Sequence, residues 1–143
     1  MLYRNLPSLE TQISAMCLGT MTFGGQTDEA ESLRIVDCAL DRGVNFLDTA
    51  NIYTGGESER ILGKALQGRR DRVVLASKTG GPVNGLGPSL GAQRIQDSVE
   101  DSLRRLHTDY LDILYLHFPD HKTPPAEYVT ACTELIRSGK IRH

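Results

Sequence analysis

The sequence predicts an α/β fold built on a parallel sheet, and three observations carry that prediction. Short apolar runs alternate with stretches of helical length and periodicity four times along the chain, the pattern of strands joined by right-handed helical crossovers. The run Val73 to Ala76 is continuously apolar, as suits a strand covered on both faces. Glycine or proline punctuates the helical stretches, with Gly43, Gly68 and Gly139 at their ends and Pro124-Pro125 at the start of the last.

Taken in order, Tyr3-Arg4 and Gln12-Ile13-Ser14 read as a short hairpin, with Asn5-Leu6-Pro7-Ser8 nearby as a turn signal. Ala15 to Leu18 is a short apolar strand ending at Gly19-Thr20. Thr27 is expected to cap the first helix, with Asp28 and Glu29 in its first turn and Leu33, Val36, Ala39 and Leu40 on one apolar face. Val44 to Leu47 is the next strand, Ser58 to Leu66 a helix, and Val73 to Ala76 a strand. A Gly/Pro-rich loop from Thr79 to Leu90 leads to a helix from about Ala92 that turns Ile95, Val99, Leu103 and Leu106 to one side. Leu111 to Leu116 is the following strand. Proline is tolerated at the first helical position, so Pro124-Pro125 open a helix with Ala131, Cys132, Leu135 and Ile136 inward. Ile141 begins a fifth strand. An open doubly wound sheet and part of a barrel both satisfy this order.

At 143 residues, 39% hydrophobic and 24% charged, the chain suits a single domain with one core. Its net charge of −2 is spread over interspersed acids and bases, so nothing in it recruits nucleic acid or an anionic membrane surface. A small-molecule partner fits better. No run approaches the roughly 18 apolar residues of a membrane span, and Met1-Leu2-Tyr3-Arg4 leads into polar sequence, so a cytoplasmic protein is expected. Cys17, Cys38 and Cys132 are odd in number, widely spaced and set in apolar stretches. They are expected to be buried free thiols rather than a disulfide or zinc framework. His107, His117, His121 and His143 lack a partner at metal-ligand spacing, and no metal site is expected.

Ligands of parallel α/β folds bind at the C-terminal ends of strands, so the residues that close each apolar run are the candidates for chemistry. Those ends are Gly19-Thr20-Met21, Asp48-Thr49-Ala50, Ser77-Lys78 and His117, with Tyr53 five residues beyond Asp48. Singly, Asp48 fits a turn cap, Lys78 a solvated cation, Tyr53 a loop aromatic and His117 a core histidine. Chance loop chemistry does not account for Asp, Lys and His at equivalent positions of three consecutive strands.

These residues carry a resemblance to the aldo-keto reductase family. Asp48-Thr49-Ala50-Asn51-Ile52-Tyr53 resembles its D-T-A-x-x-Y. Gly56-Glu57-Ser58-Glu59 and Leu62-Gly63-Lys64-Ala65-Leu66 are similar to the G-x-S-E and L-G-x-A-L that come after it. Val74 to Lys78 resembles the strand bearing the family's lysine. Ser102 to Leu106, Thr108 to Asp112 and Leu116-His117-Phe118-Pro119-Asp120 resemble the segment bearing its histidine. The resemblance covers nearly the whole chain. It implies a (β/α)8 TIM-barrel type of fold, with residues 1–143 as its N-terminal half: the first four β/α units after a short N-terminal hairpin.

It also implies the chemistry. Reducing a carbonyl needs a hydride at carbon and a proton at oxygen, and the oxygen becomes alkoxide-like as the hydride arrives. The resemblance assigns Tyr53 as general acid/base, Lys78 as the cation that tunes it, Asp48 as the partner of Lys78, and His117 as the group that orients the carbonyl. The hydride comes from nicotinamide, which the family takes as NADPH, with Gly19, Thr20, Met21 and Asp48 as contacts in this chain. A cofactor-bound regulatory subunit of a membrane channel is the alternative implied by the same resemblance, and an inactive self-associating half-barrel is a third.

Other motifs do not compete. Gly85-Leu86-Gly87-Pro88-Ser89-Leu90-Gly91 has one residue too many for a dinucleotide fingerprint and does not leave a strand directly, so it is read as a loop beside the substrate or cofactor. Ser138 to His143 resembles the family segment leading into the fifth strand. The resemblance therefore implies a partner, either the C-terminal half of the barrel or a second copy of this chain.

Overall fold

The computed structural model describes residues 1–6, 11–82 and 85–143. Strands β1 (Tyr3–Asn5) and β2 (Gln12–Ser14) form the expected antiparallel hairpin, pairing Tyr3 with Ser14. Pro7 and Ser8 of its turn signal lie outside the described residues. A second sheet takes β3 (Cys17–Gly19), β4 (Phe46–Asp48), β5 (Val74–Thr79) and β6 (Ile113–Leu116) in chain order, all parallel. Helices α1 (Glu29–Asp41), α2 (Glu57–Ala65), α3 (Ala92–Leu106) and α4 (Pro125–Arg137) alternate with them.

One core fills the space between this sheet and its helices. Leu47, Leu75 and Leu111 meet Val36 of α1, Ile61 and Leu62 of α2, Ile95, Val99 and Leu106 of α3, and Ala131 and Leu135 of α4. Each buried Val, Leu or Ile contributes about 1.5–3 kcal/mol. Because side chains alternate along a strand, Leu75 and Leu114 face this core while Lys78 and Tyr115 face the other side of the sheet. Helices α2 and α3 approach closely at Gly63, where a Cβ would stand 2.7 Å from the Arg105 carbonyl oxygen.

The entry side of the strands is tied by one carboxylate. Asp112 accepts the Leu75 amide at 2.9 Å, the Arg70 guanidinium at 2.8 Å and the Arg142 guanidinium at 3.0 Å. The Tyr110 ring lies between the same two arginines, 4.1 and 4.0 Å from their guanidinium carbons. Residues 140–143 also pair with 111–114 through backbone hydrogen bonds, including His143 N–H to Asp112 O at 3.0 Å and Leu114 N–H to the His143 oxygen at 2.8 Å. The expected fifth strand is thus begun at Ile141.

Several expectations need correction. Asp28, not Thr27, caps α1: its carboxylate accepts the Glu31 amide, whereas the Thr27 hydroxyl pairs with that of Thr22. Asp48 and Lys78 lie within their strands rather than after them, since β4 and β5 run to Asp48 and Thr79. Strand β6 is shorter than expected, with Leu111 joined only by an isolated bridge to Ile141. Ile136 is 47% exposed, because it lies on the flank of α4 away from α3. The cysteines are free, but Cys17 and Cys38 are exposed and Cys132 is half-buried. Cys17 sits on the edge strand and Cys38 on the flank of α1 that no described element covers, so apolar neighbours in sequence do not bury them.

Candidate active site

Asp48, Lys78 and His117 reach one mouth because three neighbouring parallel strands end there in register. Gly19 stands opposite Asp48, Asp48 opposite Ala76, and Lys78 opposite Tyr115, two residues before His117. Tyr53 is carried differently. It opens a 3-10 turn (Tyr53–Gly56) in which Thr54 and Gly55 take left-handed backbone angles, φ 49° and 63°, before α2 starts. Sequence periodicity gave no sign of that turn.

The Lys78 ammonium is the hub. It forms an ion pair with Asp48, donates to the Thr49 carbonyl at 2.8 Å and lies 3.2 Å from the Tyr53 hydroxyl. Three acceptors satisfy its three N–H bonds. Asp48 is part-exposed, and its carboxylate offsets the lysine charge without closing the mouth. The His117 ring meets the Tyr53 ring edge-on, with centroids 5.9 Å apart and planes at 82°. Burial first and the Lys78 charge second lower the His117 pKa below its ordinary value, against an opposing pull from Asp48. Both effects favour the neutral imidazole. Its Nδ1 is buried with no protein partner among the described residues, and Phe118 packs against the ring at 4.6 Å between centroids.

The residues expected at a cofactor divide. Beside Asp48, a Cβ at Gly19 would meet nothing within 4 Å, so that strand end faces open space. Met21 is exposed. Thr20, at the same strand end, is fully buried, its hydroxyl lying 3.1 Å from the Asp48 carbonyl and 2.8 Å from the Ser58 hydroxyl.

Behind the mouth lies a polar layer that residue-by-residue reading of the strand ends missed. The Ser58 hydroxyl, in the first turn of α2, donates to the Thr20 carbonyl at 2.8 Å and lies 3.0 Å from the Thr49 hydroxyl. Glu59 is 0% exposed, accepts from the Ser77 hydroxyl at 2.6 Å and pairs with Arg105 at 2.7 Å. The only sequence signal for these residues was the Gly56-Glu57-Ser58-Glu59 motif. On the α3 side of Ile52, a cleft of about 590 Å³ is lined by Asn51, Thr79 and Arg94 among others, and by no member of the Asp48, Tyr53, Lys78 and His117 group.

The loop after β5 is held to the loop after β6. Asp120 accepts from the Thr123 hydroxyl and from the Leu90 and Lys122 amides at 2.9 and 2.8 Å. These bonds, the Thr123 hydroxyl foremost, hold its carboxyl well below the usual carboxylate range. No helix is long and apolar enough to cross a membrane, and no cluster of three His, Cys, Asp or Glu suited to a metal occurs among the described residues.

The model of the aldo/keto reductase family matches residues 15–143. The aldo-keto reductase YhdN of Bacillus subtilis is 40% identical over 98% of this chain and 45% of its own length. A probable voltage-gated potassium channel subunit beta of Arabidopsis thaliana is 38% identical over 97% of this chain and 44% of its own. Among solved structures, the holo form of aldo-keto reductase AKR11C1 from Bacillus halodurans superposes with a TM-score of 0.91 at 39% identity, covering 100% of this chain and 49% of that one. The chain spans about half the length of these relatives. Its hairpin and four β/α units follow the TIM-barrel architecture of its structural neighbours, and the chain belongs to the aldo/keto reductase family.

Proposed function

We propose that these residues form the catalytic half of an NADPH-dependent reductase of aldehydes and ketones. The observation that carries the reading is the Lys78 ammonium placed between the Asp48 carboxylate and the Tyr53 hydroxyl, 3.2 Å from the latter. Tyr53 gives its proton to the carbonyl oxygen. Lys78 favours the phenolate that remains, and Asp48 holds Lys78 in place. The neutral His117 imidazole donates one hydrogen bond to the same oxygen and so orients the carbonyl over Tyr53.

The open space at Gly19 and the exposed Met21 leave the strand end beside Asp48 free for a flat ring, so the residues present fit a nicotinamide. When bound, that cofactor supplies the hydride. Gly19, Thr20, Met21 and Asp48 are the residues of this chain that we place against it. NADPH rather than NADH, and a cytoplasmic location, are part of the proposal.

We further propose that the rest of the barrel comes from C-terminal β/α units. The flanks favour this arrangement: an apolar groove of about 500 Å³ beside β3 is lined by Met16, Leu18 and Ile35, and Val129 and Ile136 stand exposed on α4. A second copy of the chain is the other occupant. Gel filtration with and without a complementary half separates the two.

The channel-subunit relative favours a second reading, in which the same residues hold cofactor for a regulatory partner. Oxidation of NADPH with a panel of aldehydes, set against capture of a channel partner, decides between them. The reductase reading expects turnover with at least one activated aldehyde, and it fails if a complete barrel that binds NADPH turns over none.

A further inference from the structure

We propose that Ser58 and Glu59 are positioning residues for Lys78, acting through Thr49 and Ser77. The proposal rests on the reductase reading of Lys78, but its test does not need turnover.

The two side chains leave the first turn of α2 toward the helix-facing side of the sheet, opposite the mouth. Ser58 reaches the ends of two strands: its hydroxyl lies 2.8 Å from the Thr20 hydroxyl and carbonyl and 3.0 Å from the Thr49 hydroxyl. Thr49 is also the residue whose carbonyl accepts from the Lys78 ammonium at 2.8 Å. One residue is thus gripped by Ser58 on one side and offers an acceptor to Lys78 on the other.

Glu59 does the equivalent for the third strand. It accepts from Ser77, the peptide neighbour of Lys78, at 2.6 Å, and its other oxygen takes the Arg105 guanidinium at 2.7 Å. Ser58, Glu59, Thr49 and Ser77 are each 0% exposed. A buried ion pair is weak evidence for stability, because apolar residues of the same volume often hold a fold as well, whereas directed bonds fix geometry. Here the directed bonds end on the two residues that set where the Lys78 ammonium stands.

The test is acetic anhydride labelling of the intact protein, read at each lysine by mass spectrometry. The chain offers Lys64, Lys122 and Lys140 as internal references. Ser77→Ala and Ser58→Ala are compared with Ser32→Ala, which removes another fully buried serine hydroxyl, in α1 and remote from Lys78. Labelling of Lys78 is expected to rise roughly threefold to tenfold in the first two, the size of a lost hydrogen bond, with the reference lysines unchanged. Ser32→Ala leaves Lys78 as in the parent, and Ser77→Thr, which keeps the hydroxyl, restores protection. If the alanine variants do not fold, Ser77→Cys and Ser58→Cys keep the volume while weakening the donor, and the same rise at Lys78 is expected. Lys78 labelling that matches Ser32→Ala, or that rises equally at every lysine, overturns the proposal. Loss of reductase turnover in the parent, with this labelling pattern intact, would count against the reductase reading alone.

Discussion

The Lys78 ammonium lies 3.2 Å from the Tyr53 hydroxyl oxygen and 4.9 Å from the centre of its ring, while the same nitrogen is ion-paired to Asp48. A cation at that distance stabilises the negative charge that builds on the oxygen as its proton is transferred. Lys78→Met removes it with little change in shape. In a complete barrel, turnover is expected to fall by roughly a hundredfold or more. Steady-state rates at saturating cofactor check this. Unchanged turnover with only weaker cofactor binding would reassign the lysine to a binding role.

His117 gives a pH dependence whose sign is opposite to that of a histidine gaining an acidic partner. Burial and Lys78 lower its pKa in the folded state, so below the free value of about 6.5 the unfolded chain takes a proton that the folded chain refuses. Its contribution to stability is complete above that pH and declines as pH falls toward the lowered folded value. Titration of the imidazole by NMR is expected to show a midpoint below the free value, and Lys78→Met to raise it. A midpoint at or above about 6.5 in the parent would contradict this geometry.

Gly63 tests the packing that supports the site. A Cβ there meets backbone of Arg105 and Leu106 at 2.7 to 2.9 Å, and backbone cannot swing aside. Gly63→Ala is expected to destabilise by about 1–3 kcal/mol, the usual cost of overpacking, despite the better helix propensity of alanine. Gly87→Ala, where a Cβ meets nothing within 4 Å, is the control and is expected to be near neutral. Urea unfolding of the two variants checks both.

The parts of this molecule readable in the sequence are those that depend on near neighbours along the chain. Ile95, Val99, Leu103 and Leu106 of α3 share a helical period, and all four are buried. Asp48, Lys78 and His117 stand at the ends of apolar runs, and a parallel sheet brings such ends together whatever the helices between them do. What was not readable depends on contacts across the fold. Cys17 and Cys38 look like core residues until the uncovered flanks of β3 and α1 are seen. The Thr20 hydroxyl meets that of Ser58, 38 positions away, a contact no local pattern reports. The Tyr53 turn rests on left-handed angles at Thr54 and Gly55, which no periodicity reports.

Tyr53→Phe is the most direct measurement of the central claim, that Tyr53 delivers the proton in carbonyl reduction. The change deletes the hydroxyl that faces Lys78 and almost no volume. In a complete barrel, NADPH affinity by fluorescence titration is expected to stay within about twofold of the parent, since the ring and the space at Gly19 are untouched. Turnover of an activated aldehyde is expected to fall by roughly a hundredfold or more, because the positioned acid is gone. Turnover that persists within a few fold of the parent, with cofactor bound normally, would contradict the account.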